Sequence, residues 1–248
     1  MKLDYLNENQ IKAIKHKDGP MLVLAGAGSG KTSVLTKRVA YLIESGVNPY
    51  NILAITFTNK AALEMKERIL SILGNTARQI QISTFHSLGL KIIKENIEYL
   101  IYDKNFVILD SDDTLTLLKK IIKNMNLDTK IYIPRVVRSK ISNVKNELMS
   151  IDEFKKIEFD DNIIKIYKEY INTLVNNNSV DFDDLLILPI KLFKENPNIL
   201  MKYQERFKYL LIDEYQDTNE AQYILTKMLS AKYKNIFVVG DADQSIYA

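Results

Sequence analysis

The chain of 248 residues contains no cysteine, so it can form neither a disulfide framework nor a cysteine-based metal site. No apolar stretch approaches the length that spans a membrane, and residues 1–5 carry no apolar signal region. We therefore expect a cytoplasmic protein with no membrane partner. With 46% hydrophobic and 26% charged residues, the chain can bury one large core and a smaller one.

Glycine is scarce, and three of the eight glycines lie in residues 25–32, Ala-Gly-Ala-Gly-Ser-Gly-Lys-Thr, directly after the apolar run 21–24. A buried strand that breaks into a glycine-rich loop and then a helix, as we predict here, points successive backbone N–H groups into one concavity, where they bind phosphate. The segment predicts a nucleoside triphosphate site, with Lys31 on the β- and γ-phosphates and the Thr32 hydroxyl on Mg²⁺. Ala25 replaces the usual first glycine, and the alternative is a glycine-rich turn before an ordinary helix. The predicted nucleotide-binding residues of this loop are Ala27, Gly28, Ser29, Gly30, Lys31 and Thr32.

The apolar run 209–212 ends in two acids, Asp213 and Glu214. A phosphate loop of this kind needs a carboxylate at the end of a second strand. Asp213 is predicted to hold Mg²⁺ through its water shell, and Glu214 to orient and deprotonate the attacking water. The alternative is a solvated helix N-terminus, where acids are favoured by the helix dipole.

Residues 213–219, Asp-Glu-Tyr-Gln-Asp-Thr-Asn, resemble the DEXX-box of UvrD, Rep and PcrA type helicases, the superfamily 1A DNA translocases. Residues 6–10, Leu-Asn-Glu-Asn-Gln, resemble the Q motif of that family, in which the glutamine, here Gln10, hydrogen-bonds the adenine edge. An amide suits that task because it both donates and accepts. Asn7 and Gln10 also have the spacing of a helix capping box, and both interpretations can hold at once.

Two segments that follow predicted strands resemble the DNA-contacting motifs Ia and Ib of this family. They are residues 56–62, Thr-Phe-Thr-Asn-Lys-Ala-Ala, and residues 83–87, Ser-Thr-Phe-His-Ser. Hydroxyls and Lys60 can reach phosphates, and an exposed aromatic can stack on any base. The alternatives are that Phe57 belongs to the core, that Asn59 caps the helix running to Leu73, and that His86 is a cap or surface residue. The resemblance predicts DNA contacts from Phe57, Thr58, Asn59, Thr84 and His86.

Residues 238–247, Val-Val-Gly-Asp-Ala-Asp-Gln-Ser-Ile-Tyr, resemble motif III. The resemblance implies that Gln244 contacts the γ-phosphate, beside the catalytic residues Lys31, Asp213 and Glu214, and that Tyr247 lies against a DNA base. Residues 181–185 resemble an Asp-Phe-Asp-Asp-Leu segment of the family, which we interpret as a helix N-terminus rich in acids.

Predicted strands near Met21, Ile52, Ile80, Leu210 and Ile236 alternate with helical patterns, which predicts an α/β fold with a parallel sheet covered by helices on both faces. The motifs above all sit at the carboxyl ends of these strands, where phosphate sites lie in such sheets. The resemblance implies a P-loop NTPase (RecA-like) fold. We expect a RecA-like ATP-binding domain 1A at residues 1–104 and 180–248, and an all-helical inserted domain 1B at residues 105–179.

The net charge of +3 is small, but residues 119–145 hold eight of the basic side chains against Asp128 alone. This segment is predicted either to bind duplex phosphates or to be a solvated basic face. The eight are Lys119, Lys120, Lys123, Lys130, Arg135, Arg138, Lys140 and Lys145.

The resemblance covers the whole chain but only the N-terminal third or so of such a helicase, without the segments that carry its arginine fingers. It implies an ATP- and Mg²⁺-dependent 3′ to 5′ translocase on single-stranded DNA and at single-strand/duplex junctions, with repair or replication proteins as partners. One alternative is the motor of a recombination helicase-nuclease subunit. Another is a nucleotide- and DNA-binding module with little turnover, because arginine fingers are worth roughly 10³ to 10⁵ in rate.

Overall fold

The computed structural model describes residues 6–26 and 28–241 and contains two compact units. Unit 1 comprises residues 6–26, 28–88, 196–218 and 223–241 of the described chain. Unit 2 comprises Gly89–Glu195 and Asn219–Gln222. The predicted insert at residues 105–179 falls within the longer segment of unit 2, and its boundaries as a domain stay a prediction.

Unit 1 is built on a five-stranded sheet in which every neighbouring pair is parallel. All five predicted strands are confirmed, and with them the α/β class. The strand order is β1-β7-β6-β2-β3. The strands are β1 Met21–Leu24, β2 Ile52–Thr56, β3 Gln81–Thr84, β6 Tyr209–Ile212 and β7 Asn235–Gly240.

Because all strands run the same way, their carboxyl ends meet at one edge of the sheet. The register pairs Thr56 with Thr84, and Ile55 with Ile212. The phosphate loop, motifs Ia and Ib, and the acidic pair Asp213 and Glu214 therefore leave the sheet at this edge.

Two helices of unit 1, α1 Glu8–Lys15 and α3 Asn59–Leu73, begin at side-chain caps. Asn7 and Gln10 form the predicted capping box at the start of α1. Thr58, not Asn59, is the N-cap of α3 and accepts from the Ala61 N–H, so the interpretation of Asn59 as the cap is wrong, although α3 ends at Leu73 as predicted. Helices α4 and α11 each contain residues of both units. The helices with residues in unit 1 are α1 Glu8–Lys15, α2 Lys31–Glu44, α3 Asn59–Leu73, α4 Phe85–Glu95, α10 Pro197–Arg206 and α11 Glu220–Ser230.

One hydrophobic core of unit 1 packs α1, α2 and α3 against the sheet. In it Leu35, Val39 and Leu42 of α2 are fully buried, beside Ala54 and Val239. Strand β1 differs from the buried strand that the sequence predicts. It is the edge strand of the described sheet, and it leaves Leu22 58% and Leu24 61% exposed. An apolar run alone does not distinguish a central strand from an edge strand.

Unit 2 is mainly helical, and its core is formed by Leu118, Ile122, Ile141, Ile166 and Leu174, among others. It departs from the all-helical prediction in one place, a short parallel pairing of β4 Val107–Ile108 with β5 Ser179–Val180. Strands of two residues leave no periodicity in the sequence, so they escape prediction. Its helices, besides the shared α4 and α11, are α5 Ser111–Asn124, α6 Pro134–Asn146, α7 Ile151–Ile157, α8 Asp161–Asn176 and α9 Asp184–Glu195.

Gly89 of α4 makes a close approach to α9 within unit 2. A Cβ at position 89 would lie 1.8 Å from the Leu185 carbonyl oxygen, so no other residue fits without moving one helix. Pro189 lies inside α9 and lacks the N–H that would otherwise bond the carbonyl four residues earlier, that of Leu185. The proline thus leaves open the oxygen that the glycine approaches.

None of the helices in the described part of the chain is long and apolar enough to cross a lipid bilayer.

Candidate functional site

The predicted phosphate loop joins β1 to α2 through two glycines in the left-handed region. Gly28 has φ 73° and Gly30 has φ 83°, values that side chains with a Cβ rarely adopt. Helix α2 begins at Lys31, directly after Gly30. The Ala25 N–H donates to the Gly240 carbonyl at 3.1 Å, which ties the start of the loop to the end of β7.

Lys31 points its ammonium back into the loop. Its Nζ lies 2.9 Å from the Ala25 carbonyl oxygen, 3.4 Å from that of Gly26 and 3.2 Å from Asp241 Oδ2. The Lys31 and Asp241 side chains are only 9% and 3% exposed. The cation is therefore held at the mouth of the loop by oxygens, the kind of partner that a phosphate also provides.

Thr32 and Asp213 come together at the ends of two elements. The Thr32 hydroxyl donates to Asp213 Oδ2 at 3.0 Å, and the Glu214 N–H donates to Asp213 Oδ1 at 3.1 Å. Burial raises the pKa of the Asp213 carboxyl, and the nearby charge of Glu214 adds to that shift, while the Thr32 hydroxyl opposes it. Hydroxyl and carboxylate oxygens are hard ligands of the type that Mg²⁺ prefers, so the two side chains fit the predicted metal role.

Glu214 leaves the line of β6 because its backbone is left-handed, with φ 52° and ψ 46°. Such a conformation is uncommon for a residue other than glycine and costs free energy, of order 1–3 kcal/mol. It turns Glu214 away from the direction of Asp213, as the predicted division of roles requires. The Gln216 Nε2 donates to Glu214 Oε2 at 2.8 Å.

A pocket of about 380 Å³ opens at this point of unit 1. It is lined by Gly28, Gly30, Lys31, Thr32, Ser33, Arg68 and Glu214. Six of these seven residues belong to the predicted phosphate loop, to Ser33 directly after it, or to the acidic pair. Arg68 is the exception: it comes from α3, and no local motif marks it, because only the packing of α3 brings it to the loop.

Gln10 lies beside the loop, with both ends of its amide engaged. Its Oε1 accepts from the Asn7 N–H at 3.0 Å, and its Nε2 donates to the Ser29 carbonyl at 3.0 Å. The capping interpretation is confirmed. The adenine contact stays a prediction, and it requires Gln10 to exchange at least one of these partners.

Arg38 is a residue that the sequence interpretation missed. It is 1% exposed, and its guanidinium lies 4.5 Å from the centre of the Phe237 ring. It donates to the carbonyls of Ala13, Ile14 and Lys17 at 3.1–3.5 Å, which fastens the end of α1 to α2. Burial lowers its pKa to about 10, so it stays charged at neutral pH.

The predicted motifs Ia and Ib meet at the carboxyl ends of β2 and β3. Asn59 Oδ1 accepts from the Thr84 hydroxyl at 3.5 Å and from the Ser87 hydroxyl at 3.4 Å. Phe57 is 40% exposed, so its interpretation as a core residue is wrong. Burial lowers the pKa of the His86 imidazole, which favours its neutral form.

Three predicted site residues, Ala27, Gln244 and Tyr247, lie outside the described residues. Their roles stay predictions.

The acidic segment 181–185 is confirmed as a helix N-terminus, and it also contains a buried ion cluster. Lys145 Nζ lies 2.7 Å from Asp181 Oδ2 and 2.8 Å from Asp184 Oδ1. The backbone N–H groups of Asp181 and Asp184 donate to each other's carboxylates at 3.1 and 3.0 Å. Asn146 Nδ2 donates to the Asp183 carboxylate, and Asn146 Oδ1 accepts from Asn219 Nδ2.

The predicted basic segment 119–145 is less uniform than its charge suggests. Lys145 is buried in the ion cluster, Lys140 pairs with Glu158, and Arg138 donates to the Ser111 carbonyl. The other five, Lys119, Lys120, Lys123, Lys130 and Arg135, are exposed.

Comparison with known proteins matches residues 6–248 to the UvrD/REP helicase N-terminal domain. The chain is 51% identical over 249 aligned residues to the ATP-dependent DNA helicase PcrA of Bacillus subtilis (strain 168), an alignment that covers 99% of the chain and 34% of that protein. It is 47% identical to the PcrA helicase of Staphylococcus aureus (strain Mu50 / ATCC 700699), with the same two coverages. It is also 47% identical to the PcrA helicase of Leuconostoc citreum, over 98% of the chain and 33% of that protein. The chain thus spans about a third of the length of these relatives.

Proposed function

Because the chain belongs to the UvrD/REP helicase N-terminal domain family, we propose that it is the ATP-binding part of a DNA helicase that translocates 3′ to 5′ on single-stranded DNA. The observation that carries the proposal is the convergence of Lys31, Thr32, Asp213 and Glu214. The Thr32 hydroxyl contacts the Asp213 carboxylate, while Lys31, Thr32 and Glu214 line the same pocket.

In this proposal the pocket holds the triphosphate of ATP. The N–H groups of residues 27–32 cradle the phosphates, and Lys31 exchanges its present oxygen partners for the β- and γ-phosphates. Arg68 adds a second cation at the pocket wall. Gln10 contacts the adenine edge from α1.

Thr32 and Asp213 are proposed to hold Mg²⁺, as the hard oxygens they bring together allow. Bound there, the ion would supply positive charge that neutralises the charge developing on the phosphates. Glu214 is proposed to orient the attacking water and accept its proton. The predicted contact of Gln244 with the γ-phosphate belongs to the same proposal.

The edge formed by motifs Ia and Ib is proposed as the single-strand surface. Exposed Phe57 can stack on a base, and the polar groups of Thr58 and Asn59 can reach the backbone. The predicted contacts of His86 and of Thr84, which is 6% exposed, belong to the same proposal. Tyr247 is the further predicted base contact. These groups are suited to binding without base choice, as a translocating motor requires.

We further propose that residues 1–104 and 180–248 form domain 1A and residues 105–179 form domain 1B, with single-strand/duplex junctions as substrate and repair or replication proteins as partners. A motor subunit of a helicase-nuclease complex has the same motifs. A test for nuclease activity in the longer protein distinguishes that alternative from the helicase proposed above.

The test is ATP hydrolysis by the 248-residue chain with and without single-stranded DNA, beside Lys31→Ala and the exposed α3 variant Lys66→Ala. We expect Lys31→Ala to lower ATP affinity at least about tenfold, because the ammonium serves phosphate, and Lys66→Ala to match wild type. DNA-stimulated turnover lost only in Lys31→Ala supports a coupled site. ATP binding without turnover would make the chain a binding module, and equal affinity in both variants would overturn the phosphate-loop assignment.

A further inference from the structure

The Gln216 amide bridges two motifs at the carboxyl edge of the sheet. Its Nε2 donates to Glu214 Oε2 at 2.8 Å, and lies 3.4 Å from Asp217 Oδ2. Its Oε1 accepts from the Asp241 N–H at 3.0 Å. One side chain thus joins the proposed water-orienting carboxylate, after β6, to the first residue after β7.

The local backbone leaves this amide little freedom. Gln216 sits in the 3₁₀ turn Tyr215–Asp217, which starts at the left-handed Glu214. From the other side, Gly240 packs against it: a Cβ at position 240 would lie 3.0 Å from Gln216 Oε1 and 3.5 Å from its backbone nitrogen. A side chain at position 240 would therefore press on the amide, which would have to shift by a few tenths of an ångström.

Asp241 connects the bridge to the phosphate loop, because its carboxylate pairs with Lys31 at 3.2 Å. Contacts run without a break from Lys31 through Asp241 and Gln216 to Glu214. A γ-phosphate that takes the Lys31 ammonium must compete with Asp241 for it. Any shift of Asp241 then acts on Gln216 through the backbone hydrogen bond.

Taking the proposed function as its basis, we propose that Gln216 is a positioning residue that fixes the Glu214 carboxylate and transmits the exchange of partners at Lys31 to it. An amide is suited to this task because it donates to a carboxylate and accepts from an N–H at the same time. Glutamate would place like charges together, and leucine would make neither bond.

The link is measured by hydrogen–deuterium exchange of the 248-residue chain with and without Mg²⁺ and a slowly hydrolysed ATP analogue. The variants are Gln216→Leu and Gln216→Glu. The control is Gln204→Leu, which removes another half-buried amide of unit 1, bonded to the Met228 carbonyl. In wild type and control we expect the analogue to change exchange in both segments 25–32 and 213–217.

In the two Gln216 variants we expect the change at 25–32 to persist and the change at 213–217 to be lost. If the analogue changes exchange in wild type only at 25–32, the inference is overturned and the proposed function is not. The same holds if a Gln216 variant responds at 213–217 as wild type does. A variant that loses both responses makes Gln216 a nucleotide-binding residue and also overturns it. No response at 25–32 in wild type would overturn the proposed function, and the inference with it.

Steady-state kinetics give a second readout where single-stranded DNA stimulates turnover. Removing a hydrogen bond to a charged group typically costs about 1.5–3 kcal/mol, so we expect Gln216→Leu to lower kcat about 10- to 100-fold while KM for ATP changes less than about threefold. In a Glu214→Gln background the same substitution should have no further effect on kcat. Additive losses would contradict a role exercised through Glu214.

Discussion

Glu214 owes its position to a left-handed backbone, which turns it out of the line of the strand that Asp213 follows. Glu214→Gln keeps the shape and removes the proton acceptor. We expect ATP affinity within about threefold of wild type and turnover lower by roughly 10² to 10⁴, the usual worth of a general base. Phosphate release and binding of a fluorescent ATP analogue measure the two quantities.

Glu64→Gln, on the exposed face of α3, is the matched control and should leave both quantities unchanged. A Glu214→Gln protein that fails to bind ATP would instead make Glu214 a binding or structural residue.

At the scale of single residues, the sequence predicts those site residues that lie close to one another along the chain. Lys31 and Thr32 are fixed to the loop by spacing, and Asp213 and Glu214 by the end of an apolar run. Arg68 and Gln216 could not be assigned this way, because each reaches the site through tertiary packing. Gln216 stands inside a recognised motif, but only the approach of Gly240 and Asp241 shows what its amide touches.

Helices α6 and α9 are joined within unit 2 by the Lys145 cluster, whose lysine side chain is only 4% exposed. Burial lowers the pKa of Lys145, but Asp184 and Asp181 outweigh burial and raise it overall. Lys145→Met leaves two buried carboxylates without a cation. We expect the free energy of unfolding to fall by about 3–5 kcal/mol, measured by urea unfolding followed by circular dichroism.

Lys155→Met removes an exposed pair with Asp152, whose lysine is 47% exposed, and should leave the unfolding midpoint unchanged. A Lys145→Met protein as stable as wild type would show that the cluster does not hold the two helices together.

The same cluster predicts a pH dependence of stability. Burial raises the pKa of Asp184 to about 6, so the folded chain binds this proton more tightly than the unfolded chain. The contribution of Asp184 is therefore present at low pH and is lost as the pH rises from about 4 to about 6, by at most about 1.4 kcal/mol per pH unit. Burial also raises the pKa of Asp181, but its lysine and hydrogen-bond donors outweigh burial and hold it below its usual value.

Asp184→Asn cannot titrate at this position, so its stability relative to wild type should rise across that pH window. Urea midpoints at pH 4, 5, 6 and 7 test this. Parallel curves for the two proteins would contradict the prediction.

Elements were predictable from the sequence where they are long and periodic. Helix α3 has an apolar face and a clear cap region, and the five strands of the sheet follow apolar runs. The β4–β5 pairing was missed because a strand of two residues shows no pattern in the sequence. The exposure of β1 was missed because the order of strands is a property of the whole sheet and cannot be read from one strand. The acidic segment 181–185 was interpreted as a helix start, but its lysine partner is 36 residues away from Asp181 along the chain.

Over the whole chain the net charge is only +3, and the exposed basic residues of segment 119–135 lie apart in sequence from the proposed single-strand surface. That surface is nearly neutral: Phe57, Thr58, Asn59 and Thr84 carry no charge, and Lys60 is the cation that motif Ia adds. Its affinity for single-stranded DNA should therefore depend on stacking more than on counterion release.

We expect the logarithm of the binding constant for single-stranded DNA to fall with the logarithm of salt concentration with a slope of about −1, since each neutralised phosphate of a single strand contributes about −0.7. Phe57→Ala should weaken binding by about 1–3 kcal/mol per stacked base and leave the slope unchanged. Lys60→Ala should reduce the slope by about 0.7, and Lys66→Ala on the same helix should not. Fluorescence anisotropy at several salt concentrations measures affinity and slope together. A slope steeper than about −3 would contradict a nearly neutral single-strand surface, because motif Ia has too few cations to produce it.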